Sequence, residues 1–224
     1  MGTPAIEPPY VLCIDVGSYR NIGWAASDGA CGTGEDLDSA LDLVGACARS
    51  AGGAAIGFEA PIWTPARSVL TMLTRTRGGV EKAHNRAWSA SAGCGALAAA
   101  LVLMPYCLSR IYAVAGAIRA TVDVDGFVMN RGLLIWEAFV SGSMKVVGTK
   151  HHDDARMACD AFTRRWPALM SDIPGEPATN HAIASAIAAG LTVDAAELRQ
   201  PALVVGVEPR PGVDEAPSSM TTTN

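Results

Sequence analysis

Acidic side chains follow or interrupt apolar runs in three separate parts of the chain. Asp15 follows the run YVLCI, Glu59 follows AAIGF, and Glu137 lies within LLIWEAFV. Such runs are typical of buried β-strands. A carboxylate beside a buried strand is costly unless a cation or a hydrogen-bond donor compensates it. Taken alone, Asp15 is explained equally well as a turn acid that caps the following Gly17-Ser18 loop.

A helical segment late in the chain adds more ionisable side chains. In HHDDARMACDAFTRRW, His151 and Asp154 are three residues apart and therefore share a helix face. Asp154 also forms a row with Ala158 and Ala161, whose small side chains would let the helix lie close to a sheet. This row predicts that Asp154 faces the acids on the strands, whereas Asp153 is expected to be a solvated surface acid.

Carboxylates that converge repel one another, so their convergence implies a compensating cation. Hard divalent ions such as Mg²⁺ or Mn²⁺ take oxygen ligands from one or two carboxylates. The residue types therefore indicate a divalent-metal site. The alternative left open is that each acid is solvated separately on its own loop.

Three stretches, in their order along the chain, resemble the RNase H-like superfamily. They are IDVGSYRNIGWA, GFEAP after a helix, and HHDDARMAC at the head of a late helix. The resemblance is strongest to the RuvC-type branch and to the predicted nucleases of domain of unknown function 429. In RuvC-like enzymes the first strand carries Asp followed by Gly-Ser, the fourth strand carries Glu, and a late helix carries His or Asp three residues before Asp-Ala.

The positions that match this pattern are Asp15, Glu59, His151 and Asp154. The resemblance implies that the three acids bind Mg²⁺ or Mn²⁺ and that His151 is a ligand or orients the attacking water. WEAF at 136–139 resembles the acid-bearing later strand of the unknown-function families. We therefore rank Glu137 and Asp153 as second-tier site residues, below the four residues that match the pattern. The alternative for Glu137 is an ordinary acid at the end of a strand.

Basic side chains are concentrated directly after the Glu59 strand. Residues 67–86 contain one acid, Glu81, together with Arg67, Arg75, Arg77, Lys82, His84 and Arg86. The arginines and the lysine predict contacts with the phosphate backbone of a nucleic acid. A solvated surface segment is the alternative. Trp63 and Trp88 flank this stretch, and we expect core packing for both rather than stacking on bases.

Alternating strand and helix patterns predict an α/β fold. We expect a single RNase H-like domain over 10–208, with a mixed sheet that opens with an antiparallel hairpin and is flanked by helices. A helical insertion at about 62–125 lies between the fourth and fifth predicted strands and exceeds a minimal RNase H fold. Residues 126–128 are predicted as a strand. Residues 1–9 and 209–224 are predicted to be disordered tails.

Composition predicts a cytoplasmic protein. Six cysteines are scattered singly without a CxxC pair, and the first residues lack the pattern of a signal peptide. Residues 87–109 carry no charged side chain and are long enough to span a bilayer. Their three serines, two glycines and a proline instead favour a buried helix, so no membrane association is expected.

The sequence thus predicts a metal-dependent nuclease that acts on DNA or RNA. A net charge of −5 gives no global basic field, although a local patch would be hidden in that average. RuvC-like resolvases work as dimers, so a homodimer is one expected state. The alternatives are a non-catalytic binding module and a relative of the actin and sugar-kinase ATPases, which need two such domains. No GxxxxGK[ST] phosphate loop is present.

Overall fold

The computed structural model describes residues 6–140 and 150–208. The predicted tail at 209–224 lies outside the described residues, as do residues 1–5. The rest of the predicted N-terminal tail lies along the domain rather than apart from it. Trp166 Nε1 donates to the carbonyl of Ile6 at 3.0 Å, and Arg131 Nη2 donates to the carbonyl of Glu7 at 3.3 Å.

The described residues form nine strands and six α-helices. The strands are β1 (Tyr10–Asp15), β2 (Gly23–Ala26), β3 (Cys31–Thr33), β4 (Ala54–Phe58), β5 (Trp63–Pro65), β6 (Ala120–Thr121), β7 (Leu133–Phe139), β8 (Ala178–Asn180) and β9 (Val204–Gly206). The helices are α1 (Leu37–Ala48), α2 (Gly79–Ala83), α3 (Ser91–Ala115), α4 (Val124–Asn130), α5 (His151–Arg165) and α6 (His181–Ala189). Short 3₁₀ helices occupy Tyr19–Asn21, Leu70–Met72 and Ala195–Arg199.

Seven of the strands form one mixed sheet. Its order is β3-β2-β1-β4-β7, and both β6 and β9 pair with β7. β1, β2 and β3 are antiparallel, whereas β1, β4 and β7 are mutually parallel. β5 and β8 form a separate two-stranded sheet. The predicted α/β class with a mixed, helix-flanked sheet is therefore confirmed.

The two faces of the main sheet bury different cores. Leu12 and Ile14 of β1 pack in the core shared with α1, α3 and α6, while Val11 and Cys13 pack in the core shared with α5. Successive side chains on a strand alternate between faces. Asp15 therefore continues the row of Cys13 and lies on the α5 face. Because β1, β4 and β7 are parallel, their carboxyl ends meet at one edge of the sheet.

The section at 62–125 is integrated into the fold rather than appended to it. Its β6 joins the main sheet, and α3 packs against α1 and α6. α3 is nevertheless buried on one side only, because Val102 is 76% exposed and Tyr106 is 51% exposed. The prediction of a buried helix was therefore wrong for that side of α3.

Within the described ranges, α3 is the one helix long and apolar enough to cross a membrane. The core helices of soluble proteins meet the same criterion. In this fold α3 packs against α1 and α6, and 28% of its most apolar window is buried.

The predicted strand at 126–128 is wrong, because these residues belong to α4. Asp123 begins this helix, and its carboxylate accepts hydrogen bonds from the backbone nitrogens of Asp125 at 3.2 Å and Gly126 at 3.0 Å. An aspartate in this position satisfies amide groups that have no partner within the helix. The capping residue therefore outweighs the β preference of Phe127 and Val128.

Candidate metal centre

Three carboxylates from three different elements meet at the carboxyl edge of the sheet. Asp15 ends β1, Glu59 directly follows β4, and Asp154 lies in the first turn of α5. One oxygen from each of them lies within 4.8 Å of the others. Asp15 is 6% exposed and Asp154 is 5% exposed, whereas Glu59 is half-buried. The structure thus brings together the three predicted metal ligands, and this triad can hold a metal ion.

The approach of α5 to the sheet depends on a glycine. Gly23 of β2 is paired with Asp15 across the antiparallel ladder. A Cβ atom on Gly23 would lie 2.3 Å from the carbonyl carbon of His151 and the backbone nitrogen of His152. Only a residue without a side chain allows this contact, so Gly23 fixes the distance between the first turn of α5 and the end of β1.

A backbone hydrogen bond at the end of the β1–β4 pairing fixes the position of Glu59. Its backbone nitrogen donates to the carbonyl of Ile14 at 2.8 Å, which extends the parallel pairing one residue beyond β4. Glu59 and Asp15 are therefore carried by neighbouring, directly bonded strand ends.

His151 is bonded to the first acid of the triad. Its Nδ1 lies 2.6 Å from Asp15 Oδ2, and its side chain is 53% exposed. In a neutral imidazole, one nitrogen donates and the other accepts. When Nδ1 donates to Asp15, Nε2 is the basic nitrogen, and it can take a proton from water or a substrate.

The donor set suits a hard cation. All three atoms of the triad are carboxylate oxygens, the ligands preferred by divalent ions such as Mg²⁺, Mn²⁺ and Ca²⁺. Cys13 lies two residues before Asp15 on the same face of β1. Burial raises the pKa of its thiol well above the ordinary value. The Cys13 sulfur is not among the ligand atoms that cluster in the triad.

Asp153 is not part of the triad. Its Oδ2 accepts a hydrogen bond from the backbone nitrogen of Lys150 at 2.9 Å, an interaction that caps the start of α5. Its Oδ1 lies 3.6 Å from His152 Nε2, and the side chain is 42% exposed. The second-tier role predicted for Asp153 is corrected to a helix cap, in keeping with its expected position at the surface.

Glu137 is also separate from the triad, although it lies in β7, the strand that pairs with β4 in the same sheet. It is 1% exposed, and its two oxygens accept hydrogen bonds from Arg77 at 2.6 and 2.9 Å. The backbone nitrogen of Ile62 donates to the same carboxylate at 3.1 Å. Burial raises the pKa of Glu137 against the opposing effect of Arg77. We therefore correct its assignment from a second-tier site residue to a buried ion-pair partner.

Arg77 cannot contact a phosphate in this fold, because its guanidinium is enclosed. Besides Glu137, it pairs with Glu81, whose oxygens accept from Arg77 Nε and from the Arg77 backbone nitrogen at 2.8 Å each. The guanidinium also lies 4.5 Å from the ring centroid of Trp63, which is itself fully buried. The Arg77 side chain has no exposed surface. The phosphate-contact prediction is therefore wrong for this residue.

Arg67 is likewise committed to internal partners. It donates to both carboxylate oxygens of Glu176 at 2.8 and 2.6 Å, and to the carbonyls of Met72, Arg75 and Thr76. Its side chain is 12% exposed. These bonds hold the segment after β5 in place, and the phosphate-contact prediction is wrong for Arg67 too.

The other three basic residues of the predicted set are accessible. Arg75 and Lys82 are exposed, and Arg86 is half-buried. Arg86 Nη1 donates to the carbonyl of Val140 at 2.6 Å. Arg86 also lines a narrow cavity of about 40 Å³ that reaches Glu59. A cation is therefore placed in the same cavity as one acid of the triad.

Two features of this region were missed by the sequence analysis. Arg77 and Glu81 are four residues apart, a spacing that could have indicated an ion pair. Nothing in the sequence identifies Glu137, sixty residues further on, as their shared partner. Gly23 carried no signal either, because a close approach of two elements is visible only in the fold.

Comparisons with protein-family models, with curated proteins and with solved structures found no match to this chain. Its function is therefore argued from the site itself.

Proposed function

We propose that this protein is a divalent-metal-dependent nuclease of the RNase H-like type, which hydrolyses phosphodiester bonds of DNA or RNA. The observation that carries the proposal is the triad of Asp15, Glu59 and Asp154, whose oxygens lie within 4.8 Å of one another. Three carboxylates so close together at the edge of a buried sheet favour a cation in their midst.

The sheet supports the same proposal. An antiparallel β1-β2-β3 unit followed by parallel β4 and β7 is compatible with an RNase H-like fold. The acids occupy the end of the first strand, the end of the fourth strand and the first turn of a late helix. These are the three places that the sequence motifs single out, and the fold brings them to one edge.

The ions that suit the triad are Mg²⁺ and Mn²⁺, which prefer oxygen ligands. When bound, two such ions supply activation of water and stabilisation of the leaving 3′ oxygen in an in-line displacement. The protein itself orients the carboxylates. His151 fixes Asp15 through the 2.6 Å hydrogen bond and accepts or delivers a proton at its second ring nitrogen.

The nucleic-acid backbone is held by the accessible cations of the segment after β5. Arg75, Lys82 and Arg86 are the members of the predicted set that are free of buried ion pairs. Arg86 lines the same small cavity as Glu59, which places this cation near one acid of the triad. Because these contacts are with the backbone, they select neither DNA nor RNA.

Cleavage of branched, single-stranded and duplex DNA and RNA, with Mg²⁺, Mn²⁺ or EDTA, tests the proposal. The wild type is expected to cleave at least one substrate with a divalent ion and none with EDTA. Asp154→Asn is expected to lose this activity. Asp153→Asn is the matched control, because it removes a neighbouring carboxylate on the same helical turn and is expected to remain active. Cleavage that survives both EDTA and Asp154→Asn would refute the proposal.

A further inference from the structure

An apolar groove lies on the other face of the sheet edge that carries the triad. Its walls include Leu37 at the start of α1 and Val102 and Tyr106 of α3, and its rim includes Gly17 and Ser18. Its volume is about 540 Å³, which is within the range of small-molecule sites in proteins.

The groove is close to the triad along the chain. Gly17 and Ser18 are the second and third residues after Asp15. Three residues of extended chain span at most about 11 Å. The rim of the groove is therefore within reach of a nucleotide adjoining a phosphate bound at the triad.

The groove differs in charge from residues 67–86, the segment that we propose to bind phosphate. No charged side chain lines it among the described residues, so its walls offer nothing to pair with a phosphate. Val102 is 76% exposed and Tyr106 is 51% exposed, which leaves apolar and aromatic surface open to a ligand.

Tyr106 is held in place by a hydrogen bond. Its hydroxyl donates to the Asp38 carboxylate of α1 across the helix pair. A ring fixed in this way loses little conformational entropy when a planar group stacks on it. Aromatic side chains on grooves that bind single strands stack on bases without selecting their sequence.

We propose that this groove is a base-binding subsite, which receives an unpaired base of a nucleotide next to the scissile phosphate. The inference rests on the proposed nuclease function and names its substrate class: a strand with at least one base outside a duplex. Bases within a duplex are stacked and paired, and they must leave the stack to enter a protein pocket.

Binding of two fluorescent single strands tests the subsite directly. One is a thymidine 12-mer, and the other is the same sugar–phosphate chain with every base removed. Their charge and length are equal, so phosphate contacts contribute equally to both. With Ca²⁺ in place of Mg²⁺, the wild type is expected to bind the base-containing strand at least about fivefold more tightly, as measured by fluorescence anisotropy.

Three variants test whether the preference for the base-containing strand arises in the groove. Tyr106→Ala is expected to reduce this preference about fivefold or more, whereas Tyr106→Phe, which keeps the ring but loses the hydrogen bond to Asp38, is expected to retain most of it. Leu101→Ala is the matched control, because Leu101 is 46% exposed on the same helix and does not line the groove. Thermal unfolding of each variant checks that the fold is intact.

Equal affinity of the wild type for the two strands would overturn the subsite, as would an unchanged preference in Tyr106→Ala. The subsite would also be overturned if the wild type is a dimer that Val102→Asp dissociates with no change in the preference for the base-containing strand. In that case a second copy of the chain covers the groove. In each case, continued metal-dependent cleavage leaves the nuclease proposal standing. Absence of both binding and cleavage for every nucleic acid would overturn the two together.

Discussion

The hydrogen bond between His151 and Asp15 assigns the imidazole a supporting role at the triad. The ring is half-exposed and contacts one acid, so its removal loosens Asp15 but deletes none of the three carboxylates. His151→Ala is expected to lower the cleavage rate by about a hundred- to ten-thousand-fold, the usual contribution of acid–base assistance. The affinity for Mn²⁺ is expected to change far less than the rate.

His152→Ala is the control for this prediction, because His152 is adjacent in sequence and its ring lies beside Asp153 instead of the triad. Steady-state cleavage and Mn²⁺ titration on the same preparations separate the two effects. A parallel loss of Mn²⁺ binding and activity in His151→Ala would make the histidine a metal ligand and contradict the supporting role.

Gly23 gives a second prediction at the scale of one residue. Gly23→Ala places a methyl group 2.3 Å from the backbone of His151 and His152, so the first turn of α5 must move away. We expect a destabilisation of about 1–3 kcal/mol, typical of overpacking, together with weaker Mn²⁺ binding. Gly95→Ala is the control, since its Cβ would meet no atom within 4 Å. Normal Mn²⁺ affinity in Gly23→Ala would show that the triad does not depend on this contact.

The candidate ligands could be predicted from the sequence because of their positions beside apolar runs and at the start of a helix. Asp15 and Glu59 follow apolar runs, and parallel strands bring such ends to one edge of a sheet. Asp154 heads a row of small residues that allows close packing. Glu137, which interrupts an apolar run inside β7, was misassigned, because its partner Arg77 is distant in sequence and only the fold joins them. An acid in or beside an apolar strand therefore does not reveal whether a metal or an arginine compensates its charge.

At the scale of elements, the ion pairs of Arg77 tie the segment around α2 to the end of β7. Arg77→Met would leave Glu81 and Glu137 buried without their shared cation. We expect the free energy of unfolding to fall by about 3–5 kcal/mol, as for other buried pairs broken on one side. Denaturant unfolding with EDTA present measures this loss independently of metal.

Glu137→Gln is the companion variant. The amide oxygen can still accept from Arg77 and from the Ile62 backbone, so a smaller loss of stability is expected than for Arg77→Met. The affinity for Mn²⁺ is expected to stay close to that of the wild type. A large fall in Mn²⁺ affinity with little change in stability would return Glu137 to the metal site.

The elements predicted well are those whose pattern is set by local chemistry. β1 up to Ile14 and all of β4 are apolar runs, β7 is an apolar run interrupted only by Glu137, and α5 has a clear row of small residues. α3 was predicted as fully buried because it carries no acid or base to mark a solvent side before Arg110. Its exposed face is apolar, and hydrophobicity alone cannot distinguish such a face from a core.

At the scale of the whole molecule, the net charge of −5 averages over the segment 67–86, in which Arg75 and Lys82 are exposed and the one acid, Glu81, is buried. Arg75→Ala and Lys82→Ala are each expected to weaken nucleic-acid binding and to lower the slope of log affinity against log salt by about one. Arg164→Ala is the control, because Arg164 is an exposed arginine in the last turn of α5, at the opposite end of that helix from the triad. An equal slope in all four proteins would make residues 67–86 an ordinary solvated segment.

The central claim is that Asp15, Glu59 and Asp154 hold a divalent ion, and Mn²⁺ titration followed by electron paramagnetic resonance tests it most directly. The signal of free Mn²⁺ reports binding without any assumption about a substrate. The wild type and Asp153→Asn are expected to withdraw Mn²⁺ saturably, with one or two ions bound per chain, and Asp154→Asn is expected to bind at least about tenfold more weakly. Equal binding by all three proteins, or no binding by the wild type, would contradict the account.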